Sequence, residues 1–168
     1  MAISKRLLSL ARSGDTNAQN WVADHLMRSG TPAAYRRAMP WLRLAAKSRE
    51  AWAEYHIGLI YDHGYGVRRN SRVARSWYEK SAASGYASAQ LNLGIVLANL
   101  AGEKRDLKLA IKLYRLAAAQ GRKRAAYNLG LYYAQGRGVR RSPALARYWL
   151  SRAGLKNPAR VAKRLADV

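Results

Sequence analysis

The chain has 168 residues, which is long enough for one domain with a sizeable core. It contains no cysteine, which excludes disulfides, thiolate nucleophiles and thiolate metal sites, and its longest apolar runs are too short to span a membrane. Its 31 basic and 9 acidic residues give a net charge of +22, which favours polyanions or acidic proteins as partners, although arginine-rich solvated helix faces would raise the charge equally.

The N-terminal residues 1–14 combine basic residues, serine and leucine in the manner of a targeting peptide. Ser9 and Arg12 interrupt the apolar stretch, however, and no cleavage pattern follows, so a signal or transit peptide is not predicted. The segment Ala11 to Gly14 instead matches Ala82 to Gly85, and an Ala-Gln pair follows each. We therefore predict that residues 1–14 form a half-repeat of the fold, and that the cysteine-free chain is cytoplasmic.

Small residues recur along the chain at a fixed spacing of 36 residues. A period of this length indicates an array of stacked helix pairs, in which small residues matter where helices pack closely. Such an array presents a long surface to a partner, which favours binding over catalysis. The recurring sets are Gly58, Gly94 and Gly130; Ala53, Ala89 and Ala125; Ala74, Ala110 and Ala146; and Gly85 with Gly121.

The first repeat, residues 17–49, is the most divergent. Its helices are predicted at about 17–28 and 33–47, and its loop is one residue shorter than in later repeats. Arg49 stands where later repeats place the glycine that ends the second helix. A tryptophan recurs at one register of the second helices, which predicts core packing for Trp41, Trp77 and Trp149.

The second repeat, residues 51–85, begins with a predicted helix over 51–63, whose apolar residues recur at helical spacing. The segment Gly64-Tyr65-Gly66-Val67 is too rich in glycine to continue this helix, so it predicts a turn. Ser71 is predicted to cap the second helix, which ends at Gly85.

The third and fourth repeats follow the same plan over residues 87–121 and 122–154. Asn157 and Pro158 then suit the start of a last helix within 157–168, whose basic face would give the array a polar end. We therefore predict a single all-α domain over residues 1–168. It is expected to be a right-handed α-solenoid of about four helix-turn-helix repeats, with an N-terminal half-repeat and a C-terminal capping helix.

Three groups of residues give these repeats a family likeness. They are the string Ala87-Ser88-Ala89-Gln90-Leu91-Asn92-Leu93-Gly94; the loops Gly64-Tyr65-Gly66-Val67 and Gly136-Arg137-Gly138-Val139; and Ala74, Trp77-Tyr78 and Ala82-Ala83 before Gly85. The groups resemble the Sel-one-like repeat family, relatives of the tetratricopeptide repeat, over nearly the whole chain. The resemblance implies an α-solenoid that acts as an adaptor or scaffold and not as an enzyme, and some bacterial members are thought to be immunity proteins that neutralise a secreted toxin.

The chain departs from the family pattern in two places. The third repeat has Leu97-Ala98-Asn99-Leu100-Ala101-Gly102 where a two-glycine loop is expected, so we expect its turn to differ. The family often places an aspartate as the cap of the second helix, and the corresponding residues here are Asn70, Asp106 and Ser142.

A pair of basic residues recurs at one repeat position, and it supplies the first candidate binding residues. Repeat geometry predicts that the pairs line one edge, at the turn between the two helices of each repeat, with a step of roughly 10 Å. Guanidinium groups in a row suit phosphates or carboxylates, because each can bind two oxygens. A solvated loop without a ligand is the alternative. The pairs are Arg68 with Arg69, Lys104 with Arg105, and Arg140 with Arg141.

The first helices of the repeats supply the second set of candidate binding residues. In solenoids of this kind these helices line the concave surface, where a peptide or protein loop would bind. For Asn92 and Asn128 a structural hydrogen bond between repeats is the favoured interpretation. Residues seven apart share a helix face, which pairs His56 with His63, Asn92 with Asn99 and Asn128 with Gln135, and Trp52 and Arg124 lie one turn earlier.

The sequence predicts no catalytic residue, metal site, cofactor or small-molecule substrate. His56 and His63 lie about 10 Å apart along a helix, and only Asp62 adds a ligand nearby. The 9 carboxylates form no pair at matching repeat positions, and acid–base chemistry by Glu54 with His56 has no supporting motif. Gly136-Arg137-Gly138 lacks the strand that gives a phosphate-binding glycine loop its meaning.

Two hypotheses of function follow. The first is an adaptor or inhibitor that binds an acidic protein partner through the concave face and the basic edge, with charge accelerating the encounter. The second is a nucleic-acid-binding solenoid whose basic pairs follow the phosphate backbone. Net charge supports the second hypothesis, whereas the lack of a recognition motif and of an exposed aromatic series counts against it.

Overall fold

The computed structural model describes residues 3–99 and 104–166, with the backbone alone for residues 104 and 105. These residues form ten helices and no strand, which confirms the predicted all-α fold built from helix pairs. The helices are α1 (Lys5–Arg12), α2 (Thr16–Met27), α3 (Pro32–Lys47), α4 (Ala51–His63), α5 (Ser71–Ala83), α6 (Ala87–Asn99), α7 (Lys104–Ala119), α8 (Lys123–Gln135), α9 (Pro143–Arg152) and α10 (Pro158–Ala166).

The helices group into two compact units, unit 1 (Met1–Tyr86) and unit 2 (Ala87–Val168). In unit 1, α2 packs on α1 and α3, and α4 packs on α3 and α5. In unit 2, α7 packs on α6 and α8, α9 packs on α8, and α10 lies against α8 and α9. The single domain over residues 1–168 stays a prediction. No helix within the described ranges is long and apolar enough to cross a membrane.

Side-chain caps begin most of the second helices, and one of them differs from the sequence prediction. Asn70 caps α5, because its Oδ1 accepts a hydrogen bond from the Val73 amide at 3.0 Å. The prediction of Ser71 as this cap is therefore wrong, since Ser71 is the first residue of the helix. Ser142 caps α9 in the same way, whereas Asp106 lies inside the first turn of α7.

The ends of the second helices explain the recurring glycines and the divergence of the first repeat. Gly85, Gly121 and Gly154 all have φ between 83° and 84°, a left-handed conformation in which a side chain is unfavourable. Arg49 occupies the corresponding position in the first repeat and takes up φ 57°, at a cost of about 1–2 kcal/mol. The sequence identified this position correctly as the exception.

The glycines of the first helices mark close approach to a large buried side chain. A Cβ atom added at Gly58 or at Gly94 would lie 2.7 Å from the ring of Tyr78 or Tyr114 respectively. Both tyrosines are almost fully buried. The 36-residue glycine spacing thus arises because each first helix must leave room for the side chain that closes its helix pair. Gly130 makes the equivalent approach to Leu150.

The residues that fill the core most completely lie one position after the recurring tryptophans. Trp41 and Trp77 pack against the core cluster of unit 1 as predicted, but both stay partly exposed. Trp149 is also half-buried and meets the ring of Tyr148 edge-on. The fully buried side chains at the next position are Leu42, Tyr78, Tyr114 and Leu150.

Three first helices carry a buried polar residue at one repeat position, which sequence reasoning did not predict. Gln19 donates from Nε2 to the Ala11 carbonyl at 3.0 Å and so ties α1 to α2. Gln90 accepts at 3.0 Å from Gln120. Glu54 is 4% exposed, and its Oε2 has no hydrogen-bond partner. Burial raises the pKa of Glu54, and the positive charges of Lys80 and Arg49 oppose this change.

Candidate functional site

Two of the three predicted first-helix residues of unit 1, Trp52 and His56, contact each other, whereas the third, His63, contacts a different ring. The rings of Trp52 and His56 are tilted by 45°, with 4.2 Å between their centroids. His63 stacks instead on Tyr65 at 5.0 Å, and its Nδ1 lies 3.1 Å from the Leu59 carbonyl oxygen. The two histidines therefore belong to separate contacts on the exposed side of α4.

Burial lowers the pKa of His56 to about 4, and the nearby carboxylate of Asp24 opposes this change. His56 is consequently uncharged at neutral pH, and it adds an aromatic surface without adding positive charge. Trp21 and His25 form a second stacked pair on α2, with ring centroids 5.1 Å apart. Trp21 is 45% exposed, so this pair also presents an accessible aromatic ring.

The predicted first-helix residues of unit 2 are exposed. Asn99 is the last residue of α6, while Arg124 and Gln135 lie near the two ends of α8. Each is accessible to a partner, and their binding role stays a prediction.

Two of the three basic pairs, Arg68 with Arg69 and Arg140 with Arg141, lie in the connection between the two helices of a repeat. All four residues are exposed. In these two pairs the second arginine also contacts the turn. Arg69 donates from Nε to the Asp62 carbonyl at 2.8 Å, and Arg141 packs against the left-handed Gly136. In these two pairs, the alternative of a solvated loop residue without a ligand therefore fits Arg68 and Arg140 better than Arg69 and Arg141.

The third basic pair begins α7. Lys104 and Arg105 lie on the backbone of that helix, and their side chains are outside the described part of the structure. The turn predicted to differ in the third repeat falls partly on residues 100–103, which also lie outside it. The continuous row of three basic pairs thus stays a prediction.

Unit 2 contains a concave basic surface that sequence reasoning identified only in part. We call it the basic groove, formed by Lys108, Lys112, Arg115, Arg140 and Arg141. The last three line a cavity of about 600 Å³ between α7, the α8–α9 connection and the start of α9. A smaller recess of about 190 Å³ adjoins it and is lined by Lys108, Lys112 and Arg115. Arg115 and Val139 line both cavities, so the two cavities are neighbours and the five cations lie around them.

Packing of the α8–α9 connection onto α7 forms this groove. Gly138 has φ 71° and lies so close to α7 that an added Cβ would be 3.0 Å from side-chain atoms of Leu107 and Ile111. Arg115 is held from the opposite side, because its Nη2 donates to the Tyr133 hydroxyl and its guanidinium lies 5.9 Å from the centre of that ring. The groove is therefore a consequence of repeat packing, and Tyr133 anchors Arg115 at one of its walls.

The corresponding positions of unit 1 are also basic. Arg43 donates to the Tyr61 hydroxyl at 3.2 Å, which repeats the contact between Arg115 and Tyr133. The equivalence extends to four positions separated by 72 residues: Arg36 with Lys108, Arg43 with Arg115, Arg68 with Arg140, and Arg69 with Arg141. Unit 1 has Pro40 where unit 2 has Lys112, which leaves it with one cation fewer at this set of positions.

The charge of the two units differs more than their packing. Unit 1 has 14 basic and 6 acidic residues, a net charge of +8, whereas unit 2 has 17 basic and 3 acidic residues, a net charge of +14. Two ion pairs of unit 1, Arg28 with Asp24 at 3.0 Å and Arg75 with Glu79 at 2.8 Å, engage part of its charge. Asp106 is the only carboxylate that the structure describes in unit 2, and it does not line the groove.

Lys108, Lys112 and Arg115 were missed because they lie on α7, far along the chain from the loop pair Arg140 and Arg141. A signal for them is present in the sequence, since Arg36 and Arg43 precede Lys108 and Arg115 by 72 residues. That spacing equals two repeats, whereas the recurring residue sets were defined at a spacing of one repeat, 36 residues.

Within the described ranges, no three histidine, cysteine or acidic side chains lie close enough to hold a metal ion. Glu54 is buried, whereas His56 contacts the tilted ring of Trp52, so the structure places these two residues in different surroundings.

Comparison with known proteins assigns the repeats. The Sel1 repeat family model matches residues 16–49, 53–86, 87–121 and 123–158. Among solved structures, c5321, a protective antigen of uropathogenic Escherichia coli strains with an SLR fold, is 34% identical, with a TM-score of 0.81 over 91% of this chain. A Sel1 repeat protein from Oxalobacter formigenes is 29% identical, with a TM-score of 0.76 over 84% of this chain.

Both of these proteins are longer than the chain. The match spans 33% of the first and 57% of the second. None of the curated protein sequences matches the chain significantly.

Proposed function

This chain belongs to the Sel1 repeat family of α-solenoids, which are generally protein-interaction scaffolds, and we propose that it is a non-enzymatic adaptor or inhibitor of an acidic protein partner. It would act in the cytoplasm. The partner would contact the first-helix face and the basic residues of the helix connections.

The basic groove of unit 2 is the observation that carries this proposal. Five cations surround its cavities, and no carboxylate lies among the residues that line them. Guanidinium groups bind carboxylates in a bidentate manner, and positive charge accelerates the approach of an acidic partner. Binding would therefore weaken as ionic strength rises.

The first-helix face would supply specificity. Trp52 and the neutral His56 form one aromatic patch, and Trp21 with His25 forms another. Aromatic side chains bury a large area with few rotatable bonds, which makes them frequent contributors to binding energy.

An inhibitor or immunity-type role falls within this proposal. The target would then not be a nuclease, because an inhibitor that mimics nucleic acid is expected to be acidic, whereas this chain has a net charge of +22.

Nucleic acid is the second candidate ligand, and the net charge of +14 in unit 2 favours it. The groove offers little for stacking bases, however, because its aromatic residue, Tyr133, is only 5% exposed. The acidic protein is the better-supported partner.

Affinity capture with a charge-reversed variant tests the proposal. The variant replaces Arg68, Arg69, Arg140 and Arg141 with glutamate, and the bait is incubated with nuclease-treated lysate of the cells that make the protein. We expect an acidic protein to be retained by the wild type and lost from the variant. The same complex should weaken when the ionic strength is raised from about 50 to 200 mM.

A second variant with the same change in charge is the matched control. It carries glutamate at the exposed residues Arg12, Lys47, Arg122 and Arg152, which lie outside the basic groove and its unit 1 equivalents. If both variants lose the partner equally, net charge and not the basic edge controls binding. If capture depends entirely on nucleic acid and ceases after nuclease treatment, the nucleic-acid candidate replaces the protein one.

A further inference from the structure

We infer that the basic groove of unit 2 binds an extended acidic peptide segment that also inserts an apolar side chain between its carboxylates. This inference rests on the proposed function and specifies the chemistry of the partner. It concerns Lys108, Lys112 and Arg115, together with apolar residues beside them that no repeat motif marks.

The first step is the composition of the groove walls. Its cavities are lined by apolar groups as well as cations, and these include Ile111, Val139, Pro143 and Leu145. Leu145 is 41% exposed although it lies beside Arg140 and Arg141. An exposed leucine inside a cationic depression is unfavourable in water and becomes favourable when a partner covers it.

The residues at the equivalent positions of unit 1 differ from those that line the groove of unit 2. Val73 corresponds to Leu145 and is half-buried, and Arg72 corresponds to Ala144. Pro40 takes the place of Lys112. Unit 2 therefore combines an exposed leucine with a cation at position 112, and unit 1 has neither at the equivalent positions. The four basic positions that recur after 72 residues are present in both units.

The dimensions of the groove set the spacing of the acidic residues. Lys108 and Arg115 are seven residues apart on α7, which is about 10 Å along the helix axis. A peptide in the extended polyproline II conformation rises about 3.1 Å per residue with three residues per turn, so its residues i and i+3 lie on one face about 9 Å apart. Carboxylates at positions i and i+3 of the peptide would thus match these two cations, and a residue between them would face the apolar groups.

The apolar component also distinguishes a peptide from nucleic acid. A phosphodiester backbone supplies anions but no aliphatic side chain to cover Leu145 and Val139. Bases would need an accessible ring for stacking, and the ring of Tyr133 is buried and engaged by Arg115. The observations therefore favour a peptide.

Fluorescence anisotropy with the full chain and three labelled ligands provides the test. The first is a twelve-residue peptide of repeated Glu-Leu-Ser units, the second is the same peptide with serine in place of leucine, and the third is a random single-stranded oligonucleotide. We expect the leucine peptide to bind about tenfold more tightly than the serine peptide, because a buried leucine contributes at least that factor.

Two variants with matched controls locate the binding. Leu145→Ser should weaken the leucine peptide about tenfold, whereas Leu109→Ser, at a leucine that is 43% exposed outside the groove lining, should have no effect. The double variant Lys112→Glu with Arg140→Glu should weaken both peptides at least thirtyfold. Its control is the double variant Arg122→Glu with Arg152→Glu, which changes net charge equally outside the groove.

The outcomes separate this inference from the proposed function. Equal binding of the two peptides, with no effect of Leu145→Ser, would overturn the apolar anchor and leave the acidic partner standing. If neither peptide binds, the groove does not bind acidic peptides, and both proposals are wrong about this site. The same conclusion follows if the two charge-reversal variants weaken binding equally. Tighter binding of the oligonucleotide than of the leucine peptide at the same ionic strength would also overturn the inference.

Discussion

Units 1 and 2 close their helix pairs in the same way but differ in the polar residues at equivalent positions. A Cβ atom added at Gly58 of unit 1 or at Gly94 of unit 2 would lie 2.7 Å from the ring of Tyr78 or Tyr114 respectively. On the same first helices, Glu54 of unit 1 corresponds to Gln90 of unit 2.

Two residues further along the same helices, His56 in unit 1 corresponds to Asn92 in unit 2. Unit 1 therefore has titratable groups where unit 2 has amides. Packing is common to the repeats because each must bury its face against the next, whereas the polar residues are free to differ and give each unit its own response to pH and ligands.

The largest expected effect tests the common packing. Gly58→Val and Gly94→Val should each reduce the free energy of unfolding by about 3 kcal/mol, because the added side chain would overlap a buried tyrosine ring. Urea denaturation at neutral pH measures the loss. A difference of more than about 2 kcal/mol between the two variants would show that the units do not share this contact energetically.

The next effect should occur in unit 1, through His56. Its pKa in the folded protein is about 4, below the ordinary value of 6.5, so the folded state resists protonation. The stabilisation is complete above pH 6.5 and is lost as pH falls toward 4, by about 2 kcal/mol once partial exposure of the ring is taken into account.

His56→Asn, which introduces the residue found in unit 2, should remove most of this dependence between pH 6.5 and 4. Unfolding free energies measured across this window provide the comparison with wild type. An unchanged slope in the variant would mean that other groups are responsible for acid sensitivity.

A smaller effect is expected from exchanging Glu54 and Gln90. The pKa of Glu54 is raised in the folded protein, so the ionised carboxylate destabilises the folded state. Glu54 contributes its full stability below its pKa in the unfolded chain. This contribution is lost as the pH rises through the pKa of Glu54 in the folded protein. Glu54→Gln should therefore stabilise the protein by about 1 kcal/mol at pH 7, with a smaller gain at pH 4.

Gln90→Glu is the reciprocal change, and it should destabilise the protein at pH 7 because it buries a charge, although the carboxylate can still accept the hydrogen bond from Gln120. Thermal unfolding at both pH values measures the two variants. If Glu54→Gln destabilises at pH 7, attraction to Lys80 and Arg49 outweighs the cost of burial.

The smallest expected effect concerns the ends of the second helices. Arg49→Gly should stabilise the protein by about 1 kcal/mol, because glycine adopts the left-handed conformation at this position without strain. Gly121→Arg should destabilise it by a similar amount. Denaturant unfolding of the pair measures both changes, and effects of the same sign would contradict this explanation.

The sequence predicted the helix pairs well because their packing residues repeat. The 36-residue spacing located the paired helices of the second to fourth repeats and the exceptional position of Arg49. It assigned the cap of α5 to Ser71, although Asn70 is the residue that accepts the amide hydrogen bond. Adjacent polar residues are equally suitable caps in sequence, and only the backbone conformation distinguishes them.

The candidate site was predicted in part for a similar reason. The exposed pair Arg140 and Arg141 was found because it repeats beside a glycine loop, but the wall of the groove formed by Lys108 and Lys112 was not. Those lysines lie about thirty residues earlier and meet the loop only after the helices pack. The buried polar row of Gln19, Glu54 and Gln90 was missed because burial is not visible in residue type.

The sequence by itself determined the family, the all-α class, the period of the helix pairs and the excess of positive charge, because these follow from local spacing and composition. Tertiary structure alone decided which cations share a groove, which histidine stays neutral and which leucine remains exposed between arginines. These properties depend on distances between residues far apart in the chain and on exclusion of water around them, and both arise only when one repeat packs against another.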